Sequence, residues 1–172
     1  MNVFENNIFF YGAVCWESAV QINMALHKMN SSSAVRKTKG INLFIHSDGG
    51  DLMAGLSCMD QISFSNIPVT TIIDGFAASA AALMFLGGKT RKMMPHSFVL
   101  IHQLSVAIFG KYEDIKDEVK NCDLLMKEAL DIYKEKTKIP SKKLTTYMKR
   151  DVYLSFKKCL KYKIVDEAFT GY

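Results

Sequence analysis

The stretch from residue 72 to residue 85, I-I-D-G-F-A-A-S-A-A-A-L-M-F, constrains the fold of this chain most. Residues 69–73 are mostly apolar and β-branched, which predicts a buried strand. Asp74-Gly75 is expected to break it, and residues 77–86 are strong helix formers. Ser79 lies where this helix should begin. Helix starts carry unpaired N–H groups and a positive dipole end, which suit a carbonyl oxygen becoming anionic under attack. An ordinary N-cap serine is the competing interpretation.

Length and cysteine usage favour one domain in a reducing compartment. A chain of 172 residues fits a single domain with a real core. Its start shows no signal peptide, and no segment is apolar and long enough to span a bilayer. The four cysteines lie singly, without a C-x-x-C pair, so we expect reduced thiols in a cytosolic protein and no metal site. They are Cys15, Cys58, Cys122 and Cys159.

The charge of the chain gives little reason to expect a nucleic acid partner. The net charge of +5 comes mainly from lysines in mixed-sign segments. The small basic clusters at residues 36–39 and 157–158 form no stripe and have no stacking aromatics beside them. A solvated surface is therefore the favoured interpretation.

Hydrophobic periodicity predicts an alternation of strands and helices. Strands are expected at residues 7–11, 41–46, 69–73, 91–94, 97–102 and 164–165, and helices at 16–29, 52–64, 77–86, 112–136, 141–149 and 155–160. This rhythm indicates right-handed βαβ crossovers and a largely parallel sheet covered by helices, an α/β fold.

The predicted helix at residues 112–136 carries one apolar stripe among mixed charges. Its members are Ile115, Val119, Cys122, Met126, Ala129 and Tyr133. A helix of this length projecting from a small α/β body would need a partner for its stripe, and a second copy of the chain is the natural one. A helix lying along its own sheet is the alternative, and the pattern does not separate the two.

A nucleophilic serine needs a base, and four histidines are available. His27 lies on a helical pattern and His96 beside a proline, so both are expected on the surface. His46 and His102 each end a predicted strand, where ligands gather in open parallel sheets. Periodicity leaves the choice between them open.

The base needs an orienting carboxylate, and the oxyanion needs donors. Asp51, Asp74 and Asp151 are the candidate carboxylates, and the pattern leaves the choice open. Gly49-Gly50 after a strand permits a backbone N–H to approach a ligand, and with the N–H of Ala80 it would complete a two-donor oxyanion hole.

Four segments together resemble the proteolytic subunit of the Clp protease, a family of serine peptidases. They read I-H-S-D-G-G (45–50), D-G-F-A-A-S-A-A-A (74–82), P-H-S-F-V-L-I-H-Q (95–103) and K-R-D-V-Y-L-S (149–155). The resemblance covers residues 7–169.

The resemblance implies roles for individual residues. Ser79 matches the nucleophile, His102 the general base and Asp151 the residue that holds the imidazole. Gly50 and Ala80 match the backbone donors of the oxyanion hole.

The substrate cleft and the fold are implied in the same way. Leu52, Ser105 and Ala107 match substrate-binding positions, the latter two on a strand that pairs with the substrate backbone. The implied architecture is the Clp/crotonase fold, repeated βαβ units with a projecting handle helix. The chain would form one domain, 1–172, with its head at about 1–103 and 140–172 and its handle at about 104–139.

The resemblance also implies partners. The chain would assemble with itself into heptameric rings, stacked in pairs through the handle, and cleave unfolded polypeptides in the enclosed chamber. No cofactor is expected in this subunit, since only a partner AAA+ unfoldase would use ATP. The expected compartment is the cytoplasm, and a plastid stroma or an infected host cell also fits. No membrane or nucleic acid partner is expected.

Several positions depart from the family's pattern. Asp48 stands where proline is usual, which brings a carboxylate near the oxyanion site. His46 replaces a common asparagine, Leu104 a common proline, and the turn between Leu86 and Met93 is about two residues short. The chain begins almost at its first predicted core strand, so we expect it to lack the axial loops that engage an unfoldase.

Three functions therefore compete. The first is an active serine endopeptidase. The second is a non-catalytic or regulatory subunit of a mixed Clp ring, although such subunits usually lose a triad residue. The third is an acyl-CoA enzyme of the related crotonase fold, which usually relies on glutamates and a longer chain.

Overall fold

A computed structural model describes residues 1–32 and 40–171 of the chain. The basic cluster at 36–39 lies outside the described residues. The strands are β1 Asn2–Phe4, β2 Asn7–Tyr11, β3 Ile41–Ser47, β4 Val69–Ala78, β5 Thr90–Met93, β6 Phe98–Ile101, β7 Val152–Ser155 and β8 Glu167–Ala168. The helices are α1 Trp16–Ser31, α2 Leu52–Ser63, α3 Ala80–Phe85, α4 Tyr112–Lys136, α5 Ser141–Met148 and α6 Phe156–Lys161.

The strands form one mixed sheet, and the predicted α/β class is confirmed. Its order is β1-β2-β3-β4-β5-β8, with β6 paired to both β4 and β7. The central strands run parallel, as βαβ crossovers require. The β1–β2 and β6–β7 pairs are antiparallel, so the sheet is less uniformly parallel than expected.

The core lies between this sheet and the helices packed on it. Ile8, Leu43, Phe44, Ile72 and Phe85 are fully buried. Burying a side chain of this size contributes about 1.5–3 kcal/mol. The β-branched and aromatic runs that predicted strands are therefore the same residues that anchor the strands in the interior.

Strand β4 does not end at Asp74-Gly75, contrary to expectation. Gly75 adopts φ +86° within the strand, and its N–H donates to Ser97 Oγ at 2.7 Å. The register with β3 shifts between Ile45 and Ser47. The first half of β4 pairs with β5 and the second half with β6. A glycine inside a strand often marks an irregularity of this kind, and here it lets one strand serve two neighbours.

Two further expectations about local structure are wrong, and one strand was not predicted. Ala77 and Ala78 belong to β4 and not to a helix, because they pair with β6 and are buried. Ile164-Val165 is buried but forms no strand; the last strand is β8. Strand β1 was missed, since Asn2–Phe4 is exposed on both faces and shows no alternation. The other predicted elements are present, with ends that differ from the predicted ones by at most two residues.

Helix α4 is divided between two environments. Ala129, Ile132 and Tyr133 near its carboxyl end are buried, and helix α5 packs beside it. Ile115 and Val119, the members of the predicted stripe toward its amino end, are 37% and 48% exposed. The predicted stripe therefore serves the chain's own core at one end and remains uncovered at the other. None of the helices in the described ranges has the length and apolarity needed to cross a bilayer.

Candidate active site

Ser79 occupies a tight turn between β4 and α3. Its backbone has φ 54° and ψ −126°, a conformation that a non-glycine residue rarely adopts. Its N–H donates to the Leu100 carbonyl at 3.0 Å, and its own carbonyl accepts from the N–H groups of Ala82 and Leu83 at 3.0 and 3.2 Å. The side chain makes no capping hydrogen bond, so Ser79 is an N-cap residue by position only.

Gly49 makes this turn possible. A Cβ atom there would lie 2.7 Å from Ser79 Cβ and 2.7 Å from the Ala78 carbonyl oxygen. Gly49 also has φ +93°, which side chains disfavour. The loop after β3 can therefore lie directly against the serine turn only because a glycine stands at this position.

The loop that carries Gly50 is tied to Val14. The Val14 N–H donates to the Gly49 carbonyl, and the Val14 carbonyl accepts from the Asp51 N–H, both at 2.8 Å. Ala80 is the first residue of α3, so its N–H has no acceptor within the helix. Gly50 and Ala80 line the same cavity as Ser79, which is where the expected oxyanion donors must lie.

The pairing of β6 with β7 brings His102 and Asp151 together. Ile101, the last residue of β6, lies opposite Val152, the first residue of β7. The next residue beyond each of these is therefore at the same end of the ladder. His102 Nδ1 lies 3.4 Å from Asp151 Oδ1, with the two side chains 25% and 75% exposed. Asp151 is thus the candidate carboxylate that contacts a candidate base.

His102 and Ser79 line one cavity, but they are not hydrogen-bonded in this structure. The second ring nitrogen of His102, Nε2, is buried and has no hydrogen-bond partner among the described residues. A buried ring nitrogen without a hydrogen-bond partner lowers the stability of the fold, and this nitrogen has the capacity to form a hydrogen bond with a hydroxyl.

The other candidate residues lie elsewhere or serve the fold. Asp51 is the N-cap of α2, where its Oδ1 accepts from the Ala54 N–H at 2.7 Å. Asp74 accepts from the Tyr11 hydroxyl at 2.6 Å, and His46 Nδ1 lies 2.7 Å from the Asp74 carbonyl oxygen. His27 and His96 are exposed, as expected.

The three substrate-binding candidates do not all lie at the cavity. Leu52 and Ser105 line the cavity, whereas Ala107 is exposed and does not line it. Residues 102–109 form no strand or helix. The strand expected to pair with a substrate is therefore not formed in this structure.

The apolar part of the cavity was missed by sequence reasoning. It is formed by Leu83, Leu125, Met126, Ala129, Tyr133 and Met148. The apolar stripe of α4 contained three of these residues and was the available signal, but it was assigned to helix packing. Burial raises the pKa of the Tyr133 hydroxyl above its usual range, so it stays neutral.

Comparison with known proteins identifies a family. The Clp protease family model matches residues 2–171. An ATP-dependent Clp protease proteolytic subunit from Deinococcus radiodurans is 33% identical over 129 residues, covering 74% of this chain and 63% of that protein. A proteolytic subunit 2 from Chlamydia muridarum is 35% identical over 136 residues, covering 78% of this chain and 67% of that protein. These matches span about two thirds of the relatives' own length.

A solved structure gives the same result for the fold. A ClpP1 mutant from Listeria monocytogenes superposes with a TM-score of 0.85 at 24% identity, covering 97% of this chain and 92% of that one. The likeness confirms the expected architecture of βαβ units.

Proposed function

The chain belongs to the Clp protease family, and on that premise we propose that it is a serine endopeptidase acting through Ser79, His102 and Asp151. His102 Nε2 takes the proton of the Ser79 hydroxyl as its oxygen attacks the scissile carbonyl. Asp151 holds the ring through Nδ1 and stabilises the imidazolium. The N–H groups of Gly50 and Ala80 stabilise the oxyanion of the tetrahedral intermediate.

One arrangement carries this proposal: Ser79 and His102 line one cavity, Nε2 of His102 has no hydrogen-bond partner among the described residues, and Nδ1 of the same ring lies 3.4 Å from Asp151 Oδ1. A nucleophile beside a base, with a carboxylate that orients the base, is the arrangement by which a catalytic triad is recognised. The remaining step is closure of the Ser79–His102 contact, since catalytic hydrogen bonds often tighten only when substrate is bound.

We further propose that the active form is a ring. The uncovered half of α4, with Tyr112, Val119 and Leu124 exposed, is a surface that a second copy of the chain would cover. Heptameric rings stacked in pairs through residues 104–139, with the remainder as the head, would enclose the cavity and admit only unfolded polypeptides. Any ATP would be used by a partner unfoldase, and this subunit would need no cofactor. The reducing cytoplasm or a plastid stroma would keep its thiols free.

The test combines labelling by a fluorophosphonate probe with hydrolysis of a fluorogenic peptide. Both are measured on the assembled protein, whose oligomeric state is checked by native mass spectrometry. The probe should label the unmodified protein and not Ser79→Ala, and Ser79→Ala should lower kcat at least about 1000-fold. Asp151→Asn should lower kcat by a similar order, because the ring would take the wrong tautomer.

The matched control is Ser141→Ala, which removes an exposed hydroxyl at the start of α5. It should label and turn over like the unmodified protein. Equal labelling of the unmodified protein and Ser79→Ala would contradict the assignment of the nucleophile.

One observation favours a second function, that of a regulatory subunit in a mixed Clp ring: the Ser79–His102 hydrogen bond is not formed in this structure. Assembly with another Clp subunit, including one from a host cell, would then bring Ser79 and His102 into hydrogen-bond contact. Labelling of Ser79 only after mixing with such a subunit would support this function over the first.

A further inference from the structure

Asp48 lies at the cavity and is not used by the mechanism above. It follows Ser47, the last residue of β3, and it lines the cavity together with Gly50, Ser79 and His102. Its side chain is exposed, and no lysine or arginine of the described ranges lies within ion-pair distance of it. Its negative charge is therefore uncompensated within the described part of the chain.

Asp48 is the source of charge in this cavity. Among the described residues that line the cavity, Asp48 is the only carboxylate, and no lysine or arginine lines it. The other contributors are chiefly apolar side chains, together with Gln103 and Ser105. Asp48 therefore gives the cavity a carboxylate that no lysine or arginine of its described lining offsets.

The backbone around Asp48 is held on both sides. The Ser47 hydroxyl accepts from the Gly49 N–H at 3.1 Å, and Val14 bonds to Gly49 and Asp51 at 2.8 Å. Asp48 therefore sits in a fixed loop two residues before the Gly50 amide. A carboxylate so close to an oxyanion donor opposes the negative charge that develops during attack.

We propose that Asp48 is a specificity-determining residue that selects polypeptides with lysine or arginine beside the scissile bond. The inference rests on the proposed peptidase function. The aliphatic stem of such a side chain packs along apolar residues such as Leu52 and Leu83, and its cationic end pairs with Asp48. The same pair neutralises the carboxylate next to the oxyanion donors, so a cationic substrate gains in both binding and rate.

The experiment compares fluorogenic peptides that are identical except at one residue flanking the cleaved bond, which is lysine, norleucine or glutamate. The unmodified protein should favour lysine over norleucine about fivefold in kcat/KM, the upper end for a solvent-accessible ion pair. Asp48→Asn should remove that preference, and Asp48→Lys should shift it to glutamate. The preference should shrink as salt is added.

The matched control is Asp60→Asn, which removes the same charge from an exposed position on α2 outside the cavity. It should retain the lysine preference. An unchanged preference in Asp48→Asn, or its loss in Asp60→Asn as well, would overturn the role of Asp48.

A binding arm separates this proposal from the peptidase function. Fluorescence polarisation would compare the lysine and norleucine peptides on Ser79→Ala, with and without Asp48→Asn. A lysine preference that depends on Asp48 supports the proposal even if no variant hydrolyses peptide, a result that would count against the peptidase function alone. Equal binding of both peptides, with hydrolysis intact in the unmodified protein, would overturn the Asp48 proposal alone.

Discussion

Two walls line the cavity that holds Ser79, and they differ in what keeps them in place. The turn wall consists of Gly50, Ser79 and Ala80, with Gly49 packed against Ser79, and it is held by backbone hydrogen bonds to Val14 and Leu100. The α4 wall consists of Leu104, Ser105, Leu125 and Met126. Its two parts are joined by the Leu104 N–H, which donates to Met126 Sδ at 3.1 Å.

The two walls differ as well in the exposed apolar surface beside them. Ala80 is buried at the turn wall, whereas Val106, Ile108 and Phe109 beside the α4 wall are 50%, 36% and 104% exposed. The chain's own core therefore determines the turn wall. The α4 wall leaves apolar surface that only another molecule can cover, and regions of this kind open most easily.

The largest expected difference is in thiol reactivity. Cys58 lies on α2, the helix that follows the turn wall, and burial raises its pKa to about 12. At pH 8 only about one such thiol in ten thousand is ionised, and the thiolate is the reactive form. Cys122 lies on α4 and is partly exposed. An alkylating reagent should therefore modify Cys122 at least about 1000-fold faster than Cys58 in the folded protein.

Mass spectrometry of digested protein would give both alkylation rates. In denaturant the two cysteines should react alike, which controls for differences in local sequence. Comparable rates in the folded protein would mean that α2 opens as readily as α4, and the contrast between the walls would fail.

A glycine substitution beside each wall tests the contrast by stability. Gly49→Ala would force a Cβ against Ser79 Cβ at 2.7 Å with φ at +93°, so it should lower the free energy of unfolding by about 2–4 kcal/mol. Displacement of Ser79 should also lower kcat about 100-fold. Urea denaturation and peptide hydrolysis would measure the two effects.

Gly110→Ala is the matched change next to α4. The nearest atom to its added Cβ would be Asp114 Cβ at 3.4 Å, an ordinary contact. Stability should change by less than about 1 kcal/mol. Equal losses in both variants would show that the turn wall is not specially constrained by packing.

The accuracy of the predictions from sequence also differs from region to region. Elements set by local pattern were predicted, and those set by contact with distant segments were not. The bounds of α4 were predicted correctly from local periodicity, and so was the strand–turn–helix order around Ser79. The continuation of β4 beyond Gly75 was not predicted, because it depends on pairing with β6, a distant segment. Ile164-Val165 resembled a strand because burial selects the same residue types as pairing does.

The site residues likewise were predicted where local pattern was enough and left open where distant segments meet. Residue patterns placed Ser79 at a helix start but left the base and the carboxylate open among several candidates. The register of β6 on β7 is what brings Asp151 to His102, and that register involves residues about fifty positions apart. Resemblance to the family supplied these assignments, while the apolar lining from α4 was missed because it depends on how that helix packs.

The smallest expected effect concerns the contact that holds the α4 wall together. Met126→Leu keeps the apolar volume and removes the sulfur that accepts from the Leu104 N–H, so stability should change by less than about 1.5 kcal/mol. Thioether sulfur is a weak acceptor, so the Leu104 amide should exchange with deuterium about two- to fivefold faster. Peptide hydrolysis should fall by a similar factor, because Leu104 lies two residues after His102.

Met24→Leu is the matched control, since Met24 is 68% exposed on α1. It should change neither exchange nor hydrolysis. If Met126→Leu speeds exchange of the Leu104 amide and leaves hydrolysis unchanged, the α4 wall does not help to position His102. The turn wall would then carry the catalytic geometry by itself, and covering α4 would serve assembly alone.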